Sequence, residues 1–222
     1  GTAGVLAEVR SNPNALAYES LGYVTTDVKM LKVDGVEATV ANIKNGTYKI
    51  SRPLQVVYQP AKGEEALNAA YLQFLASKQA QDIISEEGYV SIIDNASSYV
   101  PDPALEGTIN ISGSTSLQPL MLKLAEKYKE LQSKVTVTVS GGGSGTGYKD
   151  AKEGVSDFGM ISEEFNDEKA PGCSLYTVAK DGIAVIVHKD NGVSNISLET
   201  LKNIYDCEAG ESAVKTWAEV EK

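Results

Sequence analysis

The sequence predicts an α/β fold whose sheets are mostly parallel. After residue 107, short apolar segments typical of strands alternate with segments whose apolar residues recur at helical spacing. The 222 residues are 42% hydrophobic and 23% charged, which is the composition of a globular chain of one large domain or two small ones. No run approaches 18 consecutive apolar residues, so no membrane-spanning helix is predicted.

The first sixty residues are predicted to form short elements separated by turns. A helix begins with Thr2 as a plausible N-cap and ends at Asn12-Pro13-Asn14. Asp34-Gly35 is typical of a hairpin or tight turn between two strands. Because Pro53 has no N–H to donate, the segment through Tyr58 is predicted to be an edge or irregular strand. The predicted short strands before that segment span residues 15–18 (buried), 30–33, 38–40 and 48–50.

The helical pattern is strongest at residues 64–76, where apolar residues fall on one face. A shorter helix is predicted at 79–86, and Gly88 is a natural residue to end it. Residues 94–107 are polar and contain two prolines, so they are predicted to form a linker.

The remaining elements alternate as strands and helices. Asp181-Gly182 is predicted to be a turn between two strands, and Ser197 is predicted to cap a final helix. The predicted strands span 108–112, 135–139, 157–161, 176–178 and 183–187, and an apolar helical stripe runs from 117 to 128.

Two strand-to-helix junctions, at 111–116 and 140–147, are rich in serine, threonine and glycine. Each offers free backbone N–H groups at a helix N-terminus together with hydroxyl donors, which is the chemistry of an anion site. Neither contains Lys or Arg, and no Gly-Lys-Ser/Thr follows the second, so it is not a P-loop. Helix caps or flexible loops without a ligand remain the alternative.

Charge and cysteine content exclude several classes of protein. The net charge of −10 disfavours nucleic acid and anionic membranes as partners. With His188 as the single histidine, neither a metal site nor a Ser-His-Asp centre is expected. Cys173 and Cys207 are too few for a metal site, and whether they form a disulfide stays open.

These motifs resemble the phosphate-binding proteins of bacterial phosphate ABC importers. The order of the segments is similar to that of circularly permuted members from some Gram-positive bacteria. The resemblance covers nearly the whole chain, and its main stretches are ISGSTS at 111–116, GGSGTG at 142–147, DFGMIS at 157–162 and DGIAVIV at 181–187.

The resemblance implies a two-lobed, type II periplasmic-binding-protein-like α/β fold that is circularly permuted. One expected lobe is 49–186, which contains the linker, and the other combines 1–48 with 187–222. The crossovers near 48 and 187 would form a hinge around the ligand. An Arg and a Ser-Gly-Thr loop of the family are expected to precede Gly1, so the second lobe is expected to be incomplete. Arg52 is predicted to form a structural ion pair.

Carried over residue by residue, the phosphate-binding positions fall on three segments of this chain. Ser162 stands where many family members have an Asp that accepts a proton from phosphate, and Glu163 is a candidate substitute for that acceptor. This difference leaves selectivity for phosphate over sulfate open. The expected phosphate-binding residues are Ser114, Thr115, Ser116, Ser144, Gly145 and Ser162.

The predicted function is that of an extracytoplasmic receptor that captures inorganic phosphate and delivers it to a membrane ABC permease. No catalysis, cofactor, metal or nucleic acid is expected. The resemblance implies a monomer at the outer face of the cell membrane, anchored by a lipid on a segment outside this sequence, or a periplasmic protein in a Gram-negative source. The alternatives are an interaction or sensor protein that has lost the ligand and a phosphohydrolase.

Overall fold

A computed structural model describes residues 2–205 and 216–220. The chain divides into two compact units. Unit 1 comprises Gly1–Ser51 and Gly182–Lys222, and unit 2 comprises Arg52–Asp181. The predicted lobes, 49–186 and 1–48 with 187–222, stay a prediction as the moving parts of a ligand-binding protein.

The elements are numbered in chain order. The helices are α1 (Thr2–Ser11), α2 (Val40–Lys44), α3 (Pro60–Glu64), α4 (Ala66–Leu75), α5 (Lys78–Glu86), α6 (Gln118–Leu131), α7 (Ser144–Glu153), α8 (Leu198–Tyr205) and α9 (Trp217–Val220). The strands are β1 (Leu16–Ser20), β2 (Val28–Met30), β3 (Lys32–Val33), β4 (Ser51–Tyr58), β5 (Gly107–Gly113), β6 (Val135–Ser140), β7 (Phe158–Ile161), β8 (Ser174–His188) and β9 (Asn195–Ile196).

Unit 2 is built on the strand order β8-β4-β7-β5-β6. Strand β5 lies parallel to both β6 and β7, whereas β4 lies antiparallel to β7. The prediction of mostly parallel sheets therefore holds for β5, β6 and β7 only. The parallel group is the part joined by helical crossovers, α6 between β5 and β6 and α7 between β6 and β7, as parallel strands require.

Aromatic side chains fill the core of unit 2. The Tyr71 ring from α4 packs edge-on against Tyr128 from α6, with centroids 5.1 Å apart, and lies 5.8 Å from Phe158 of β7. Phe74 and Tyr128 are also in ring contact. The helical face predicted for 64–76 is therefore the buried one, although the helix begins only at Ala66, after the separate turn of α3.

Unit 1 uses the second part of β8, which pairs antiparallel with β1 and β2. Strands β3 and β9 form a separate parallel pair. The Tyr48 hydroxyl donates to the carbonyl of Ile183 at 2.7 Å. Helix α8 begins as predicted, because Ser197 Oγ accepts from the Thr200 N–H at 2.9 Å. The segment predicted as a buried strand at 15–18 is β1, and it is only partly buried.

The predicted turn at Asp181-Gly182 is wrong, since β8 runs through it without a break. Asp181 is 2% exposed, and its Oδ2 accepts from Arg52 Nη2 at 3.0 Å and Nε at 3.2 Å. The predicted ion pair of Arg52 is thus present. This pair gives the Asp-Gly dipeptide a strand conformation that turn chemistry alone would not favour.

Three further predictions are wrong. Strand β4 is internal to its sheet, because its pairing with β7 is confined to 55–57, beyond Pro53. Residues 48–50 precede β4 and are not a strand. Residues 38–40 lead into α2, because Thr39 Oγ1 accepts from the Asn42 N–H and caps that helix. The turn at Asp34-Gly35 is present, with both residues at positive φ.

The segment predicted as a linker has no helix or strand between 94 and 106, but it is fixed to unit 2. Tyr99 is 8% exposed, and its hydroxyl donates to Gln132 Oε1 at 3.1 Å. The Gln132 amide also bonds the backbone of Asp102 in both directions, at 2.6 and 2.7 Å. Cys207 of the possible disulfide lies outside the described residues, and Cys173 is a half-buried free thiol.

A candidate anion site at the carboxyl edge of three parallel strands

Three small polar segments lie at one edge of the unit 2 sheet. Strands β5, β6 and β7 are parallel, so their carboxyl ends meet at the same edge. Residues 114–116 follow β5, residues 141–143 follow β6, and Ser162 follows β7. The segments carrying all six predicted site residues are therefore brought together by the sheet.

In the first segment, Ser114 has a structural role. It is 2% exposed, its N–H donates to the Met160 carbonyl at 2.9 Å, and its Oγ accepts from the Leu117 N–H at 3.3 Å. These bonds fix the loop before α6. Thr115 is exposed and Ser116 half-buried, and within residues 2–205 and 216–220 no protein acceptor binds the N–H of either. The two residues thus supply free donors, whereas Ser114 holds them in place.

The second segment leads into α7 through Gly143. This residue has a φ of +88°, which favours glycine, and its N–H donates to the Gly113 carbonyl at 2.9 Å. The first intrahelical acceptor is the Gly143 carbonyl, which binds the Gly147 N–H at 3.2 Å. In the part of the chain that the structure describes, the N–H groups of Gly145 and Thr146 therefore have no acceptor, as expected in a first helical turn.

The third segment contacts the second through a pair of serines. The Ser162 N–H donates to Ser144 Oγ at 3.2 Å, and the two hydroxyl oxygens are 3.4 Å apart. Both side chains are half-buried. This pair joins the end of β7 to the first residue of α7.

Close packing of glycines brings the helix start against the strands. A Cβ added to Gly147 would overlap the Met160 carbonyl oxygen, and one added to Gly159 would overlap the Gly147 carbonyl oxygen. Helix α7 therefore lies directly on the backbone of β7. A side chain at either position would push the free N–H groups of α7 away from the sheet edge.

A hydrogen-bonded group beneath the loops was not predicted from the sequence. Ser112 Oγ of β5 donates to Asp150 Oδ2 of α7 at 2.6 Å and lies 2.7 Å from Ser156 Oγ. Ser112 and Ser156 are each 6% exposed. The three residues stand far apart in the chain and form no motif, so nothing in the sequence pattern marks them.

No basic side chain belongs to the three segments, so their donors are neutral dipoles. Glu163 follows Ser162, but its Oε1 forms an ion pair with Lys169 Nζ at 3.0 Å. This hydrogen bond raises the pKa of Lys169. Lys169 Nζ also lies 5.1 Å from the centroid of the Tyr148 ring. The Glu163 carboxylate is thus held by a cation instead of facing Ser162.

Two searches of the described residues bear on other kinds of site. No group of three or more His, Cys, Asp or Glu side chains in 2–205 and 216–220 is placed to hold a metal ion. No helix in that part of the chain is long and apolar enough to cross a membrane. The geometry that is present, neutral donors converging from two helix starts and a serine pair, can bind a small oxyanion.

The comparisons with known proteins agree with this geometry. Residues 100–221 match the model of the PBP superfamily domain. The chain is 38% identical over 205 residues to "Phosphate-binding protein PstS 2" of Streptococcus agalactiae, which covers 92% of this chain and 69% of that protein. It is 35% identical to the protein of the same name in Streptococcus pneumoniae, with the same coverage.

A solved structure has the same fold. A crystal structure of a phosphate ABC transporter phosphate-binding protein from Streptococcus pneumoniae superposes with a TM-score of 0.91 and 34% sequence identity. The match covers 99% of this chain and 82% of that chain.

Proposed function

The chain belongs to the PBP superfamily and, within it, to the bacterial phosphate-binding proteins, and from this premise we propose that it binds inorganic phosphate for an ABC importer. Its role is capture and delivery of the ion without catalysis. The proposed ligand-binding residues are Ser114 (through its loop), Thr115, Ser116, Ser144, Gly145 and Ser162.

One observation carries the proposal: two helix starts and a serine pair converge at one sheet edge with donors that no protein group uses. Each N–H at a helix start carries partial positive charge from the peptide dipoles. Such donors hold a dianion at short range without a net positive site. The net charge of −10 then acts only at long range, where salt screens it beyond about 8–10 Å.

The proposal extends to how the ion is held and where. Lobes 49–186 and 1–48 with 187–222 close on phosphate about a hinge, a role that is supported by the two points where the chain passes between the compact units. The protein acts as a monomer outside the cytoplasmic membrane, held by a lipid anchor and delivering phosphate to the permease. The names of its relatives support this setting.

Isothermal titration calorimetry with sodium phosphate tests the proposal. We expect a saturable heat for the chain and a weaker one for Ser144→Ala, which loses a hydroxyl donor at the start of α7. Ser85→Ala is the matched control, because Ser85 is exposed on α5, away from the three segments, and its variant should bind like the unaltered chain. Absence of binding by a chain with an intact melting transition would refute the proposal and favour a ligand-free interaction protein.

A further inference from the structure

We infer that the site binds tetrahedral oxyanions as a class, sulfate as well as phosphate, because Ser144 and Ser162 present neutral hydroxyls where protonated phosphate needs a strong proton acceptor. The inference rests on the proposed function, since it concerns the same site. It differs from that function in predicting poor discrimination between the two ions.

The two ions differ in one proton. At neutral pH inorganic phosphate keeps at least one O–H, whereas sulfate has none and only accepts hydrogen bonds. A site rejects sulfate when a fixed carboxylate faces the bound ion, because the carboxylate accepts the phosphate proton but repels a bare sulfate oxygen. A site lined by donors and hydroxyls has no such group, since a hydroxyl rotates to donate or to accept.

The serine pair has the second kind of chemistry. Ser144 Oγ already accepts the Ser162 N–H at 3.2 Å, which leaves its own proton free for an anion. Ser162 Oγ lies 3.4 Å from Ser144 Oγ and carries no charge. Both groups can therefore donate to any oxyanion oxygen, and neither demands a proton from it.

The nearby carboxylates are occupied elsewhere. Glu163 Oε1 is paired with Lys169 at 3.0 Å. Asp150 Oδ2 accepts from Ser112 at 2.6 Å, beneath the loops. Within the described ranges 2–205 and 216–220, no carboxylate oxygen hydrogen-bonds to the predicted ligand-binding side chains, namely Thr115, Ser116, Ser144 and Ser162.

Titration of the chain with sodium phosphate and with sodium sulfate, at pH 7 and constant ionic strength, tests the inference. We expect the two dissociation constants to agree within about tenfold, the factor that corresponds to 1.4 kcal/mol. Phosphate binding about 100-fold tighter than sulfate would overturn the inference and leave the proposed function intact. Binding of neither ion, or of sulfate alone, would overturn both.

A variant adds a second readout. Ser162→Asp places a carboxylate beside Ser144, so sulfate affinity should fall at least about tenfold more than phosphate affinity. Ser98→Asp is the control for the added charge. Ser98 is exposed, and its neighbour Tyr99 bonds Gln132 past the C-terminal end of α6, at the opposite edge of the sheet. Equal losses for both ions in Ser162→Asp would show that residue 162 does not distinguish them, which would overturn the inference.

Discussion

Replacing Gly145 by proline should weaken phosphate binding while leaving helix α7 folded. Gly145 is the second residue of α7, and its N–H has no acceptor among the described residues. Proline removes that one donor and is tolerated in a first helical turn, as Pro119 is at the second residue of α6. A hydrogen bond to a charged group contributes about 1.5–3 kcal/mol, so affinity should fall about 10- to 150-fold.

Gly145→Ala is the matched control for this prediction. A Cβ at Gly145 would meet no atom within 4 Å, so alanine fits and keeps the N–H. Calorimetric titration with phosphate should therefore separate the two variants, with alanine close to the unaltered chain. Equal affinities of the proline and alanine variants, with both chains folded by circular dichroism, would refute the assignment of this N–H to the ligand.

Three predictions concern stability. Gly159→Ala should lower the free energy of unfolding by about 1–3 kcal/mol in urea denaturation, because its Cβ would overlap the Gly147 carbonyl, whereas Gly145→Ala should not. Arg52→Met leaves the buried Asp181 carboxylate without its partner and should cost about 1.5–3 kcal/mol, against less than about 0.5 for Lys78→Met in an exposed ion pair; equal losses would contradict this. Burial raises the pKa of Tyr48 from 10.0 to about 12, so the folded chain holds that proton more tightly and this stabilisation, complete below pH 10, should be lost between pH 10 and 12. Melting temperatures across that range should fall less steeply for Tyr48→Phe.

Local patterns predicted most of unit 2. The apolar stripe of α6, the β-branched residues of β6 and the glycine after α5 each have a physical reason to specify one conformation, and the structure agrees with all three. The two Ser/Gly junctions were also predictable, because free donors at a helix start follow from chain order alone. That Ser114 caps the loop while Thr115 and Ser116 stay free required the coordinates.

The failures occurred where distant residues override local preference. Asp181-Gly182 has turn chemistry, but Arg52, 129 residues away, holds the carboxylate inside a continuous strand. Pro53 suggested an edge strand, but the neighbouring strand pairs only with residues beyond it. Propensity describes a segment in isolation, and long-range pairing in a packed sheet changes which conformation has the lowest free energy.

The convergence of the two helix starts depends on glycines whose importance no local pattern reveals. Gly147 and Gly159 let α7 contact the backbone of β7, and a Cβ on Gly113 would also press on the Met160 carbonyl. The same carbonyl accepts the Ser114 N–H at 2.9 Å. One backbone group thus fixes the first loop while the missing side chains bring the second against it. The site therefore depends on an absence of Cβ atoms, so loss of these glycines should separate the donors even if every serine remains.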